Sequence, residues 1–288
     1  MKLACVGSPY IYGAYDYDSQ VVANALPSSE VNGDLSVKVA QWKTQLEPRL
    51  HKTVDLLVEK LQYIDFNTFK QKLLSSAKAV MSDFSRSVVL LEPGKSQKWV
   101  TEIVREAFHE DAAYYVRLGE TSANSLSSAL DALPEDADLS PLKKIIIMDD
   151  GSFSGTQMEN NVKGVLKVMK EKYGLEPKIH VVVPYITNIA LEKLRAIDGD
   201  VSIHFSEIMS TVSEIADEVV RDHHHQKILT DISEVLYGAQ APGESPPSRR
   251  CLKTLALTWF QHKVPNSMSF PERIAQALLP EIPPPYKR

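Results

Sequence analysis

Four consecutive apolar residues, Ile145–Met148, run directly into two carboxylates, Asp149 and Asp150, and then into a loop of mostly small residues, Gly151 to Thr156. No other stretch constrains the fold as tightly. So short a continuous apolar run suits a strand buried on both faces, as in a parallel sheet, better than a strand with one wet face. A long helical pattern starts at Gln157, so the order is strand, acidic tip, turn, helix. The carboxylates then fall at the carboxyl end of a central strand, where open α/β sheets bind ligands. Gly151, Ser152, Ser154, Gly155 and Thr156 leave the backbone free to curl around an anion. The helix that follows aims its first N–H groups and positive dipole end at the same point. One segment thus offers acid for hydroxyls or a divalent cation, and amides for a phosphate.

The surrounding pattern supports an α/β sheet. Ser87–Glu92, Ala113–Leu118, Lys178–Pro184 and Val201–Phe205 read as strands, separated by helical patterns that include Thr156–Tyr173 and Asn188–Ile197. Strands joined by helical crossovers run parallel. Before them, residues 36–84 read as helices, with Trp42, Leu46, Leu50, Val54, Leu57, Leu61 and Ile64 at three- and four-residue steps and Pro48 as an interruption. These helices read as a cap or an oligomerisation surface, which leaves a homo-oligomer open. Residues 206–236 read as helical again; His223, His224 and His225 are adjacent there and point in different directions, so they do not form one metal site. The expected organisation is residues 1–85 as an N-terminal irregular and helical cap, 86–237 as the α/β core, and 238–288 as a C-terminal extension packed on that core.

Composition narrows the function classes. A formal net charge of −5 and a pI near 5.9 leave no basic footprint for nucleic acid. Cys5 and Cys251 are far apart and lack metal or redox spacing. The N-terminus has too short an apolar stretch for a signal peptide, and no run is long enough to span a membrane. The expectation is a soluble, cytoplasmic protein with a small-molecule ligand.

A second anion loop is suggested after the first strand. Pro93, Gly94, Lys95 and Ser96 stand between strand and helix, where backbone amides and one ammonium group can bind phosphate. An ordinary turn capped by Ser96 fits the same residues. It is not a Walker A loop, because the first glycine of that motif would fall at Val89. A haloacid-dehalogenase phosphatase is excluded as well, since its nucleophilic aspartate would fall at Met148.

The segment IIIMDDGSFSGT resembles the phosphoribosyl pyrophosphate (PRPP) signature of type I phosphoribosyltransferases: apolar strand, acidic pair, three variable residues, then a Thr/Ser–Gly turn. The resemblance implies an α/β fold with an open, mainly parallel sheet of that kind. It implies that Asp149 and Asp150 hold the ribose hydroxyls, with Mg²⁺ bound indirectly, and that Gly151, Ser152, Phe153, Ser154, Gly155, Thr156 and Gln157 cradle the 5′-phosphate. Pro93, Gly94, Lys95 and Ser96 would grip the pyrophosphate, and residues 119–142 would form a lid. Three departures stand out. Phe153 replaces the acid that many purine-type members use as a general base, Gln157 replaces a common Thr or Ser, and the lid lacks the Lys or Arg that several members carry. No catalytic residue is therefore assigned. The tail, with His262-Lys263-Val264-Pro265, Ser269-Phe270-Pro271 and a late proline run, is similar to the C-terminal extension of a bacterial branch of such proteins. His262 and Lys263 are candidate contacts to an anionic ligand there. The implied activity is phosphoribosyl transfer to an unidentified acceptor with release of pyrophosphate; the alternative is a non-catalytic sensor of PRPP or a nucleotide.

Overall fold

The computed structural model describes residues 37, 39–80, 87–91, 96–105, 113–117, 140–219, 225–237 and 254–260. In chain order its elements are α1 (His51–Glu59), β1 (Gln62–Ile64), α2 (Phe66–Lys78), β2 (Ser87–Leu91), α3 (Ser96–Arg105), β3 (Ala113–Arg117) and β4 (Lys144–Met148). They continue with α4 (Thr156–Tyr173), β5 (Lys178–Val182), β6 (Tyr185–Thr187), α5 (Asn188–Arg195), β7 (Val201–His204) and β8 (Glu207–Met209), then α6 (Val212–Val219), α7 (His225–Tyr237) and β9 (Thr258–Phe260). Two compact units divide the chain: residues 1–14 with 67–209, and residues 15–66 with 210–288.

The first unit contains the predicted sheet. Five strands lie in the order β3-β2-β4-β5-β7, and every neighbouring pair is parallel. The helices α3, α4 and α5 intervene between successive strands and supply the crossovers that parallel pairing demands. From β2 the chain steps outward to β3, then returns to the other side of β2 to lay down β4, β5 and β7. The order therefore reverses between β2 and β4, which creates a crevice beyond their carboxyl ends.

β4 is buried on both faces, as its apolar run requires. Ile145 and Ile147 join Ile179 and Val181 of β5 in a core closed by Met158, Val162, Val165 and Met169 of α4 and by Ala190, Leu191 and Leu194 of α5. The alternate residues Ile146, Met148, His180 and Val182 are no more than 2% exposed. Helix α4 has the predicted bounds and stops at Gly174, which adopts the left-handed conformation at φ 60°. There the N–H of Leu175 donates to the Met169 carbonyl at 3.1 Å and that of Gly174 to the Lys170 carbonyl at 3.2 Å, a Schellman stop.

Three short strands, β1, β6 and β8, depart from the expected pattern, β1 lying within residues 36–84, which were expected to be helical. Pro184 has no N–H, so the β5 ladder ends at Val183 and the chain pairs again as β6, parallel to β8. Residues 207–209 were expected to be helical; the helical pattern there begins only at α6. Three-residue strands are too short to show a period of two.

The second unit has its own core. Trp42, Leu50, Val54 and Leu57 pack with Val212, Ile215, Ala216, Ile232, Val235, Leu236, Leu255 and Leu257. Pro48 interrupts the first helical pattern as expected, opening a 3₁₀ turn over Pro48–Leu50. β1 pairs in parallel with β9, with Gln62, Tyr63 and Ile64 in register with Thr258, Trp259 and Phe260. Thr211 and Glu214 form a capping box on α6. The Thr211 N–H and hydroxyl donate to the Glu214 carboxylate at 2.6 and 2.9 Å, and the Glu214 N–H donates back to the Thr211 hydroxyl at 3.3 Å. Arg49 forks between Asp231 at 2.8 Å and Glu234 at 2.6 Å on α7, and also meets Glu47 at 2.8 Å. The hydrogen bond with Glu234, then that with Glu47, raises its pKa above the ordinary guanidinium value. Among the described residues, no helix is long and apolar enough to cross a membrane.

Candidate functional site

The acidic tip begins where β4 ends. The Asp149 N–H still donates to the Val182 carbonyl at 3.1 Å, which carries the β4–β5 ladder one residue further and fixes the origin of the side chain. Asp149 is 8% exposed, and its carboxylate accepts the Asp150 N–H at 2.9 Å. Asp150 is half-buried. β2 lies beside β4, with Leu90 in register with Ile147, so the strand leading to the second candidate loop ends next to the acidic pair.

The loop after Asp150 is held by β6 and α5. The Ser152 N–H donates to the Tyr185 carbonyl at 3.0 Å, and the Thr187 N–H donates to the Ser152 carbonyl at 3.1 Å. The Thr187 hydroxyl donates to the Phe153 carbonyl while it accepts the Ala190 N–H at 3.2 Å, so one buried side chain caps α5 and pins the loop. Gly155 turns with φ 70°, and a Cβ there would stand 2.8 Å from the Ala190 Cα. Only glycine meets both conditions. The N–H groups of Phe153, Ser154 and Gly155 meet no acceptor among the described residues.

Phe153 is the aromatic residue of the loop, at the position where the resemblance implies a carboxylate in purine-type members. Its ring lies over Gly151, where a Cβ would come within 3.2 Å of the ring Cε2. The loop therefore carries no carboxylate between Gly151 and Gln157. What it can do chemically is donate N–H groups to an anion, while Asp149 and Asp150 accept from hydroxyls.

Lys193 was not expected. From α5 its ammonium donates to the Ser154 carbonyl at 2.7 Å and to the Thr156 hydroxyl at 2.8 Å. Its spacing from Ala190 puts both on one helix face, but that signal has meaning only once Ala190 is known to pack on Gly155. Nearby, the Glu159 carboxyl is held below the usual carboxylate range, mainly by its hydrogen bond from Lys163 at 2.7 Å and further by the charges of Lys163 and Lys193.

Asp149, Asp150 and residues 151–157 are thus brought together in one continuous turn. Ser96 begins α3, whereas Pro93, Gly94, Lys95, His262 and Lys263 lie outside the described residues, as does the expected lid of residues 119–142 up to residue 139; residues 140–142 belong to a 3₁₀ turn over Ser140–Lys143. Among the described residues, no group of three His, Cys, Asp or Glu side chains can by itself hold a metal ion. A carboxylate pair still suits Mg²⁺, which keeps most of its waters and binds through one or two carboxylates together with substrate oxygens.

The family model PRTase-CE matches residues 39–267. No curated protein matches the sequence. Among solved structures, a hypothetical protein from Neisseria gonorrhoeae with bound ppGpp is similar at 15% identity and a TM-score of 0.33, over 51% of this chain and 84% of that one. The xanthine-guanine-hypoxanthine phosphoribosyltransferase of Helicobacter pylori is similar at 17% identity and a TM-score of 0.32, over 51% and 88%. A purine phosphoribosyltransferase from Pyrococcus horikoshii Ot3 is similar at 11% identity and a TM-score of 0.30, over 52% and 95%.

Proposed function

Given that the chain belongs to the PRTase-CE family and so to the type I phosphoribosyltransferase-like proteins, we propose that it binds PRPP or a nucleotide containing ribose 5-phosphate and transfers the ribosyl phosphate to an acceptor. One observation carries the reading: an acidic pair and a loop with three N–H groups that meet no acceptor among the described residues share one turn at the point where the strand order reverses. Asp149 and Asp150 accept hydrogen bonds from the ribose 2′- and 3′-hydroxyls. Within the loop from Gly151 to Gln157, at the positive end of α4, the N–H groups of Phe153, Ser154 and Gly155 take the 5′-phosphate, while that of Ser152 stays on the Tyr185 carbonyl. Pro93, Gly94, Lys95 and Ser96 are assigned the pyrophosphate, and His262 and Lys263 the acceptor side.

In the transfer, the bond from ribose C1 to the pyrophosphate oxygen breaks with its electron pair leaving on pyrophosphate. A new bond forms from C1 to the acceptor, whose proton passes to solvent. The acidic pair holds the ring while positive charge develops at C1, and Lys95 balances the leaving charge. Mg²⁺ held by Asp149 and Asp150 would supply charge neutralisation for the diphosphate. Phe153 cannot accept a proton, so the acceptor must be one that ionises readily. Absence of a positioned base costs on the order of a hundredfold in rate.

The aromatic ring at Phe153 also favours a second reading, a sensor that binds the same ligand without turnover. Titration calorimetry with PRPP and Mg²⁺, followed by a pyrophosphate-release assay over a set of acceptors, separates the two. Binding with release supports the transferase, and binding without release supports the sensor. Replacing both Asp149→Asn and Asp150→Asn is expected to weaken binding about a hundredfold or more, because hydrogen bonds to two charged groups are lost. Unchanged affinity in that variant, or a folded wild-type chain that does not bind PRPP, overturns the assignment.

A further inference from the structure

The peptide between Ser154 and Gly155 is fixed from one side. Lys193 pulls the Ser154 carbonyl toward α5 with a bond of 2.7 Å. In a trans peptide the C=O and the following N–H point in opposite directions, so the Gly155 N–H is turned away from α5. The backbone has little freedom to escape, because Gly155 is left-handed and in contact with Ala190. The second bond of Lys193, 2.8 Å to Thr156 Oγ1, uses the acceptor side of that hydroxyl. A hydroxyl has one hydrogen, and this one is left for donation elsewhere.

The charge on Lys193 has an unusual setting. Both of its hydrogen-bond acceptors are neutral oxygens, and among the described residues no carboxylate lies within ion-pair distance of it. Glu159, the carboxylate whose ionisation it helps to favour, is bonded to Lys163 instead. An ammonium has three donors, and two are engaged here. A positive charge is therefore built in beside a loop in which the N–H groups of Phe153, Ser154 and Gly155 meet no acceptor among the described residues.

We infer that Lys193 is a positioning residue for a bound phosphomonoester, an inference that rests on the reading of this loop as the 5′-phosphate site. It acts through Ser154 and Thr156, orienting the Gly155 N–H and the Thr156 hydroxyl toward the anion, and its charge favours the phosphate dianion over a neutral sugar.

The test is titration calorimetry of the full chain with ribose 5-phosphate, with unphosphorylated ribose as control. Lys193→Met is expected to weaken ribose 5-phosphate binding about tenfold or more. Lys193→Gln, which is shorter and uncharged and cannot span both oxygens, is expected to do the same, while Lys193→Arg stays within about threefold of wild type. Thermal melting run in parallel identifies any variant that fails to fold; if Lys193→Met is one, the Gln variant decides. Wild-type binding that is unchanged in folded Met or Gln variants overturns the role of Lys193 and leaves the phosphate site standing. Equal losses in the Arg and Met variants, or equal loss of ribose affinity, mean that the residue only supports the fold. Failure of the wild type to bind ribose 5-phosphate overturns the site and the inference together.

Discussion

Gly155 is the residue at which local geometry and the candidate site meet. Its φ of 70° is a left-handed conformation that costs an L side chain about 1–2 kcal/mol. The Ala190 Cα, 2.8 Å from the position of a Cβ, belongs to a helix backbone and cannot rotate out of the way. Gly155→Ala should therefore destabilise the protein by about 3 kcal/mol, strain and overpacking combined. Gly174 is also left-handed, but a Cβ there meets nothing within 4 Å. Gly174→Ala should cost only about 1 kcal/mol. Urea unfolding of the two variants side by side checks the difference, and equal losses would remove the contact with Ala190 from the explanation. The glycine itself is visible in the sequence as part of a small-residue loop. The contact that makes it indispensable joins residues 35 positions apart and leaves no local pattern.

Elements were legible in proportion to their length and periodicity. α4 could be bounded from sequence because an apolar stripe of 18 residues ends at a glycine that can take the left-handed turn. β4 was legible because burial on two faces leaves an unbroken apolar run. β6 and β8 were not, since three residues carry no period, and their pairing depends on Pro184 ending the β5 ladder. β6 nevertheless matters to the site, because Tyr185 and Thr187 hold Ser152 and Phe153. In the second unit the pattern Thr211-Val212-Ser213-Glu214 begins α6 with a reciprocal cap. Thr211 is 1% exposed, so its N–H and hydroxyl depend on Glu214 rather than on water. Thr211→Ala is expected to lower stability by about 1 kcal/mol in urea unfolding, and an effect near zero would show that the cap contributes nothing to α6.

At the scale of the molecule, the second unit is assembled from segments on both sides of the sheet unit in the sequence. Leu57 on α1 is 1% exposed and shares a core with residues from Val212 to Leu257. Leu57→Ala should cost about 3 kcal/mol, since a deleted buried leucine leaves a cavity that such a core closes only partly. Denaturant unfolding followed by circular dichroism measures it, and a loss below about 1 kcal/mol would mean that this core is loosely packed. By itself the sequence determined the α/β class, the acidic tip at the end of β4 and the small-residue loop that follows it, because each arises from contiguous residues whose period or backbone freedom is local. Tertiary structure alone decided which helix holds that loop, that Lys193 stands behind Ser154, and that the helices before residue 66 share a core with those after residue 210. Such contacts depend on how distant faces match in shape and charge, and neighbouring residues carry no record of that match.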